Sequence, residues 1–156
     1  MASSPAQRLL DAWRRCERLP FGGWLFARVL ASGVPYSASI DPRVLELSPG
    51  VCRVALRDRR GVRNHLASIH AVALANLGEL ASGLAMTTAL PPSVRSIVTG
   101  FEVEFRKKAR GTIVAESRVT LSAVTGDLEH VVVADLKDAA GDVVASVRVR
   151  WKLGLR

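Results

Sequence analysis

The sequence predicts an α+β fold in which an antiparallel sheet wraps one buried helix. Three observations lead there. The stretch from Asn64 to Met86, NHLASIHAVALANLGELASGLAM, is apolar nearly all round: between His70 and Met86 the polar side chains are Asn76, Glu79 and Ser82. A helix with no polar face is a buried helix. After Pro91-Pro92 the pattern changes to alternation. Ile97, Thr99, Phe101, Val103 and Phe105 interleave with Val98, Gly100, Glu102 and Glu104; Val143, Ala145, Val147, Val149 and Trp151 interleave with Val144, Ser146, Arg148 and Arg150. Period two marks a sheet with one covered face. Gly126-Asp127 and Ala140-Gly141-Asp142 supply tight turns between such runs, which calls for antiparallel neighbours.

Taken in order, the chain opens with a helix. Ser4 suits its N-cap and Pro5 its first turn. Leu9, Trp13, Cys16 and Leu19 recur at helical spacing until Pro20 stops the run. Trp24 to Leu30 forms a second short helix, ended near Gly33 and Pro35. Arg43 to Leu47 and Val51 to Asp58 read as two strands around a Pro49-Gly50 turn. Arg59 to Asn64 is a loop containing Gly61. The buried helix then runs from about Ser68 to Thr88. Four strands follow: Ile97 to Phe105, Thr112 to Val124, His130 to Lys137, and Val143 to Trp151. Residues 1–33 are thus a helical extension, and residues 34–156 the sheet-and-helix domain.

The chain has 156 residues, enough for one domain with a real core, and 49% of them are hydrophobic. That composition excludes a disordered protein. Cys16 and Cys52 form no CxxC pair, so neither a disulfide framework nor a zinc knuckle is expected, and a reducing cytoplasm is the default compartment. The start, MASSPAQ, lacks a basic segment ahead of an apolar run, so no secretory leader is expected. Phe21 to Val34 is apolar but too short to span a bilayer and carries Arg28. No metal and no resident cofactor are expected.

Net charge is +8 and the isoelectric point near 10.7. Such a balance favours polyanionic partners. The densest clusters are Arg57 to Arg63 (RDRRGVR) and Arg106 to Arg110 (RKKAR). With one Tyr, four Phe, three Trp and no recognisable nucleic-acid motif, nucleic acid is not the expected partner. Solvated surface charge and a site for a phosphate-bearing molecule both stay open.

Glu79 is the anomaly. Burying an unpaired carboxylate is costly enough that the group shifts its pKa or finds partners. Asn64 precedes His70 by six residues, and Glu79 follows His70 by nine. In this spacing the chain resembles acyl-CoA thioesterases of the hotdog superfamily, closest to the phenylacetic-acid-degradation (PaaI-like) and hydroxybenzoyl-CoA type. That motif has Asn or Gln, His six residues on, a Gly pair, then Asp or Glu nine residues after the His. The segments VEFRKKARGTIVAESRV and VVVADLKDAAGDVVASVRVRW are similar to strands of the same superfamily, and the likeness spans roughly Val34 to Trp151. The fuller wording RNHLASIHAVALANLGELASG, followed by KKARG, is similar to a less characterised branch.

The resemblance implies a hotdog fold and hydrolysis of an acyl-CoA or acyl-ACP thioester, with CoA as part of the substrate. It implies Glu79 as general base or nucleophile, Asn64 as the residue positioning water or thioester, and His70 as the residue that orients the loop or hydrogen-bonds near the carbonyl. The Ala71 backbone N–H would be the oxyanion donor. Arg63, His65, Val72, Arg106, Lys107, Lys108 and Arg110 would contact substrate, the basic ones through CoA phosphates. Glu79 lies about 13 Å along the helix from its start. One chain cannot bring both to one carbonyl, so at least a dimer is expected; the resemblance implies antiparallel helices of two subunits, in a homodimer or a dimer of dimers.

Simpler roles stand beside these. Asn64 can be a turn residue beside Gly61, His70 a helix cap, and Asn76 a satisfied buried amide. Two departures from the motif are visible: Ala71-Val72 replaces the Gly pair, and Glu rather than Asp is the acid. Ala71-Val72 keeps open a non-catalytic acyl-CoA or acyl-ACP binder. His65, fourteen residues before Glu79, has a spacing similar to hotdog dehydratases, but LASIHAVA lacks their proline-rich loop.

Overall fold

The protein is described by a computed structural model covering residues 4–156. Met1 to Ser3, part of the stretch expected not to be a leader, lie outside the described residues. Helix α1 spans Pro5–Cys16, and the Ser4 hydroxyl accepts the Gln7 N–H at 3.1 Å, with Pro in the first turn. Its inner face is Leu10, Trp13 and Cys16 rather than the expected Leu9. Leu9 is only partly buried and faces a cavity instead. Helix α2 is Gly22–Ala31, and a four-residue helix α3, Pro35–Ala38, follows it. Gly22 begins α2 because a Cβ there would strike the Cys16 carbonyl at the end of α1. Trp13 meets Phe26 edge-on at 5.4 Å between ring centres and ties α1 to α2.

The six strands are β1 Arg43–Ser48, β2 Val51–Leu56, β3 Val94–Phe105, β4 Ile113–Arg118, β5 Leu128–Lys137 and β6 Val143–Leu155. They form one sheet in the order β1-β2-β4-β5-β6-β3, every pair antiparallel. Helix α4, Ala71–Ala89, lies against β2, β4, β5 and β6. Leu77, Ala81, Ala85 and Met86 of α4 are wholly excluded from water, as are Val147, Val149 and Leu153 of β6. Close approach is possible because Gly78 has no side chain: a Cβ there would run into Val147. The predicted α+β architecture and the buried helix are both present.

Several boundaries differ from the sequence reading, among them β2 ending at Leu56 instead of Asp58, β5 starting at Leu128 instead of His130 and β6 running to Leu155 instead of Trp151. β4 ends at Arg118 instead of Val124, because its neighbour β2 starts at Val51 and no strand lies alongside residues 119–124. Helix α4 starts at Ala71 instead of Ser68, because residues 63–69 close a loop of their own. β3 begins three residues earlier than expected, at Val94, which pairs with Leu155 of an equally extended β6.

β3 is an edge strand, and α4 leaves much of it uncovered. Directly paired residues share a face. Phe101 pairs with Val149 and Phe105 with Ala145, both fully buried on the helix side of the sheet, yet the two phenylalanines are each 51% exposed.

Candidate functional site

The loop before α4 is a hydrogen-bonded knot centred on Asn64. Its Oδ1 accepts the Leu66 N–H at 2.9 Å, the Ser68 N–H at 3.3 Å and the Ser68 hydroxyl at 3.1 Å. The Asn64 N–H returns to the Ser68 carbonyl at 2.8 Å, and Arg63 bridges to Ile69. Asn64 is therefore a turn residue; its amide NH2 donates to nothing among the described residues. Ile69 N–H reaches Ala109 and His70 N–H reaches Val62, fastening the knot to its surroundings.

Asp58, which the sequence reading passed over, staples this loop. One carboxylate oxygen accepts Arg63 Nε at 2.6 Å and the other accepts the Gly111 N–H at 3.0 Å. The Arg63 bond holds the Asp58 carboxyl below its ordinary value, with the Gly111 N–H acting in the same direction. The available signal was an acid standing alone in the basic run RDRRGVR. Arg110 adds contacts to the carbonyls of Ala67 and Leu66 at 3.4 and 3.5 Å.

His70 is the N-cap of α4: its Nδ1 accepts the Val72 N–H at 3.1 Å. That fixes the neutral tautomer with its proton on Nε2. The capping role held open in the sequence is the one observed. Leu74 N–H bonds to His70 O, whereas the Ala71 N–H has no acceptor among the described residues. A donor at a helix start is left open, where the dipole favours negative charge. Ala71 and Val72 are exposed, Val72 by 54%, and neither has positive φ. Replacing a Gly pair thus costs no backbone strain; it only puts side chains on the surface of the helix start.

Glu79 sits two turns further along, partly buried. It pairs with no cation among the described residues, and burial raises its pKa above the ordinary carboxylate value. Glu79, Leu80, Gly83, Leu84 and Thr87 form one wall of a cavity of about 410 Å³. Trp151 of β6 lies beside Gly83. Leu9 of α1 and Leu30 of α2 close the other side. A larger cavity, about 610 Å³, lies against the opposite face of α2 and is lined by Trp24, Arg28, Asp41 and Arg57. It contains none of the candidate residues, so chemistry favours the smaller one.

Eight residues of helix separate Ala71 from Glu79, about 12 Å of rise. The loop half and the acid half of the site are apart within one chain. Of the basic candidates, Lys107 is spent on Asp138 and Asp142 at 2.7 and 2.6 Å, which raise its pKa. Arg63 is spent on Asp58, and Arg106 faces Glu104 at 3.5 Å. Lys108 and His65 are exposed and make no hydrogen bond or ion pair among the described residues. Asn76 is buried and donates to the Tyr36 carbonyl at 3.4 Å. Among the described residues no cluster of His, Cys, Asp and Glu is arranged to hold a metal, and no helix is long and apolar enough to cross a membrane.

The model of a protein family described as a domain of unknown function, DUF4442, matches residues 22–153. The chain belongs to the DUF4442 family. No curated protein matches it. Among solved structures, this DUF4442 chain is similar to a structural-genomics protein at 28% identity, covering 96% of this chain and 99% of that one, with a TM-score of 0.82. A Pseudomonas aeruginosa protein of unknown function, described as a probable thioesterase, is 27% identical over 88% of this chain and 97% of its own, with a TM-score of 0.76. The phenylacetic acid degradation protein PaaI of Thermus thermophilus is 20% identical over 76% and 97%, with a TM-score of 0.64. The fold of this DUF4442 protein is the hotdog fold, and its structural neighbours include thioesterase-family hotdog proteins of the PaaI type.

Proposed function

We propose that this protein hydrolyses acyl thioesters of coenzyme A or acyl carrier protein at a site shared by two subunits. The observation that carries the reading is Glu79: a partly buried carboxylate with no cation beside it among the described residues, on the helix the sheet encloses, at the wall of an apolar cavity. A raised pKa brings a carboxylate nearer to the value at which it takes a proton from water. The likeness to a probable thioesterase and to PaaI supports the same chemistry.

In this mechanism Glu79 takes a proton from water as the water oxygen bonds to the thioester carbon. The carbonyl oxygen becomes negative and is held by the open Ala71 N–H at the positive end of α4. The C–S bond then breaks, the thiolate leaves, and the proton on Glu79 returns to sulfur. Products are a carboxylic acid and a free thiol. Attack by Glu79 itself, through an anhydride that water then opens, gives the same products.

Because about 12 Å of helix separates Ala71 from Glu79, the donor and the base meet only if a second copy lies antiparallel. The open edge of β3, with Phe101 and Phe105 exposed on the helix side, supports such a homodimer. Arg110 and Lys108, which form no ion pair among the described residues, are the proposed contacts for CoA phosphates, beside Lys107, which also pairs with Asp138 and Asp142. The cytoplasm is the proposed compartment, in keeping with two buried thiols at Cys16 and Cys52.

A panel of acyl-CoAs assayed for thiol release tests the reading. Turnover is expected in the wild type and not in Glu79→Gln. Binding of acyl-CoA without turnover in either protein would instead identify a non-catalytic binder. Co-expression of Glu79→Gln with Asn64→Ala tests the shared site: activity absent from both parents returns in the mixed dimer. No return despite dimer formation would place the whole site in one chain.

A further inference from the structure

We propose that the cavity between the N-terminal helices and α4 is the acyl-chain site, and that it selects an uncharged apolar acyl group. This rests on the thioesterase reading and adds the substrate class. The walls are Leu9, Leu30, Val34, Leu80, Leu84 and Trp151, and the volume of about 410 Å³ lies within the range of small-molecule sites. Among the described residues Glu79 is the one charged residue in that lining.

The acid is directed toward this space. A Cβ placed on Gly83 would lie 3.7 Å from Glu79 Oε1 and 3.7 Å from the Trp151 ring, so carboxylate and indole flank the groove left by the glycine. A thioester whose carbonyl meets Glu79 has its chain beside Gly83, with Leu80 and Leu84 along it. Leu9 and Leu30 come from α1 and α2, so the helical extension roofs the chain. Val29 and Val34, 48% and 46% exposed, stand at the open side where an apolar chain would cover them.

The lining also determines what is refused. A dicarboxylic acyl group would place a second carboxylate beside Glu79 with no cation in the wall, and like charges in a desolvated site repel. Ser32, one of the hydroxyls present, already donates to Val29 O at 2.8 Å.

The test is the kcat/KM profile over acetyl-, hexanoyl-, decanoyl-, phenylacetyl- and succinyl-CoA, for wild type, Gly83→Ala, Gly83→Leu and Val34→Asp, with calorimetric binding of decanoate to each. Wild type is expected to favour hexanoyl or decanoyl and to reject succinyl. Gly83→Leu fills the groove and is expected to lower the decanoyl-to-acetyl ratio on the order of tenfold or more. Val34→Asp, at an exposed position, does the same by charge and serves if Gly83→Leu fails to fold. Hydrolysis with unaltered chain preference in both variants, or succinyl as the best substrate, overturns the acyl site and leaves the thioesterase reading standing. Decanoate binding that Gly83→Leu abolishes, with no hydrolysis of any thioester, supports the cavity and sinks the thioesterase. Neither hydrolysis nor binding overturns both.

Discussion

The loop from Arg63 to His70 and the middle turn of α4 around Glu79 differ in what holds them. The loop is exposed and polar: Asn64 accepts three hydrogen bonds, Asp58 clamps Arg63 and Gly111, and His70 caps the helix. The middle turn is held by apolar packing, with Gly78 against Val147 and Leu77 and Ala81 fully buried, and its acid finds no partner among the described residues. The first region is held by hydrogen bonds that converge on Asn64 Oδ1 and on the Asp58 carboxylate. The second is chemically poised because its one acid lacks such bonds among the described residues. The proposed hydrolysis needs both, a fixed donor and a perturbed acid, and α4 carries them at different heights.

The largest expected effect comes from removing that unsatisfied charge. Glu79→Gln keeps shape and volume but cannot take a proton. Its kcat should fall by about 10²–10⁴-fold with KM little changed, measured by thiol release at saturating acyl-CoA. A drop in kcat/KM carried by KM alone would make Glu79 a binding group.

Next comes the packing beneath it. Gly78→Ala gains helix propensity of up to about 1 kcal/mol. The added methyl meets Val147 and comes within 3.3 Å of Leu136 Cδ1, both on fully buried residues that cannot yield. Overpacking of that kind costs about 1–3 kcal/mol and wins. Denaturant unfolding should show a net loss of about 1–2 kcal/mol. An unchanged midpoint would mean α4 can lift from β6.

The two regions were not equally legible in the sequence. Glu79 stood out because its neighbours are apolar, and burial of the whole helix followed from that composition. The role of Gly78 was not legible: it depends on where Val147, far along the chain, comes to lie. In the loop, spacing singled out Asn64 and His70, but the rotamer that makes one a knot and the other a cap is set by backbone that only the fold supplies. Asp58 was hidden among arginines. The short β4 was missed because β-branched residues continue through Val124, whereas pairing stops where β2 begins. The cavity beside Glu79 was out of reach, since its walls come from residues as distant as Leu9 and Trp151.

Asn64 separates structure from chemistry in the loop. Asn64→Ala strands two N–H donors and should cost about 1–2 kcal/mol, with faster hydrogen exchange at Leu66 and Ser68. Asn64→Asp keeps the acceptor and removes the amide donor. It should leave exchange protected while lowering kcat if the amide NH2 faces the thioester. Full activity in Asn64→Asp would reduce the residue to its turn.

The smallest effect is on stability, and its sign is diagnostic. Burial raises the folded-state pKa of Glu79 above the unfolded value. The folded protein then holds that proton more tightly, so stability declines as pH rises from the ordinary carboxylate range through the raised value. Glu79→Gln has nothing to titrate there. It should melt slightly higher than wild type at pH 7, with the gap closing below about pH 4. The partner's helix start would pull the other way, because its positive end stabilises a carboxylate. Melting curves across protein concentration therefore report the dimer: a gap present in dilute monomer and lost in the dimer places Glu79 against the neighbouring helix start, and a gap indifferent to concentration leaves it facing only its own cavity.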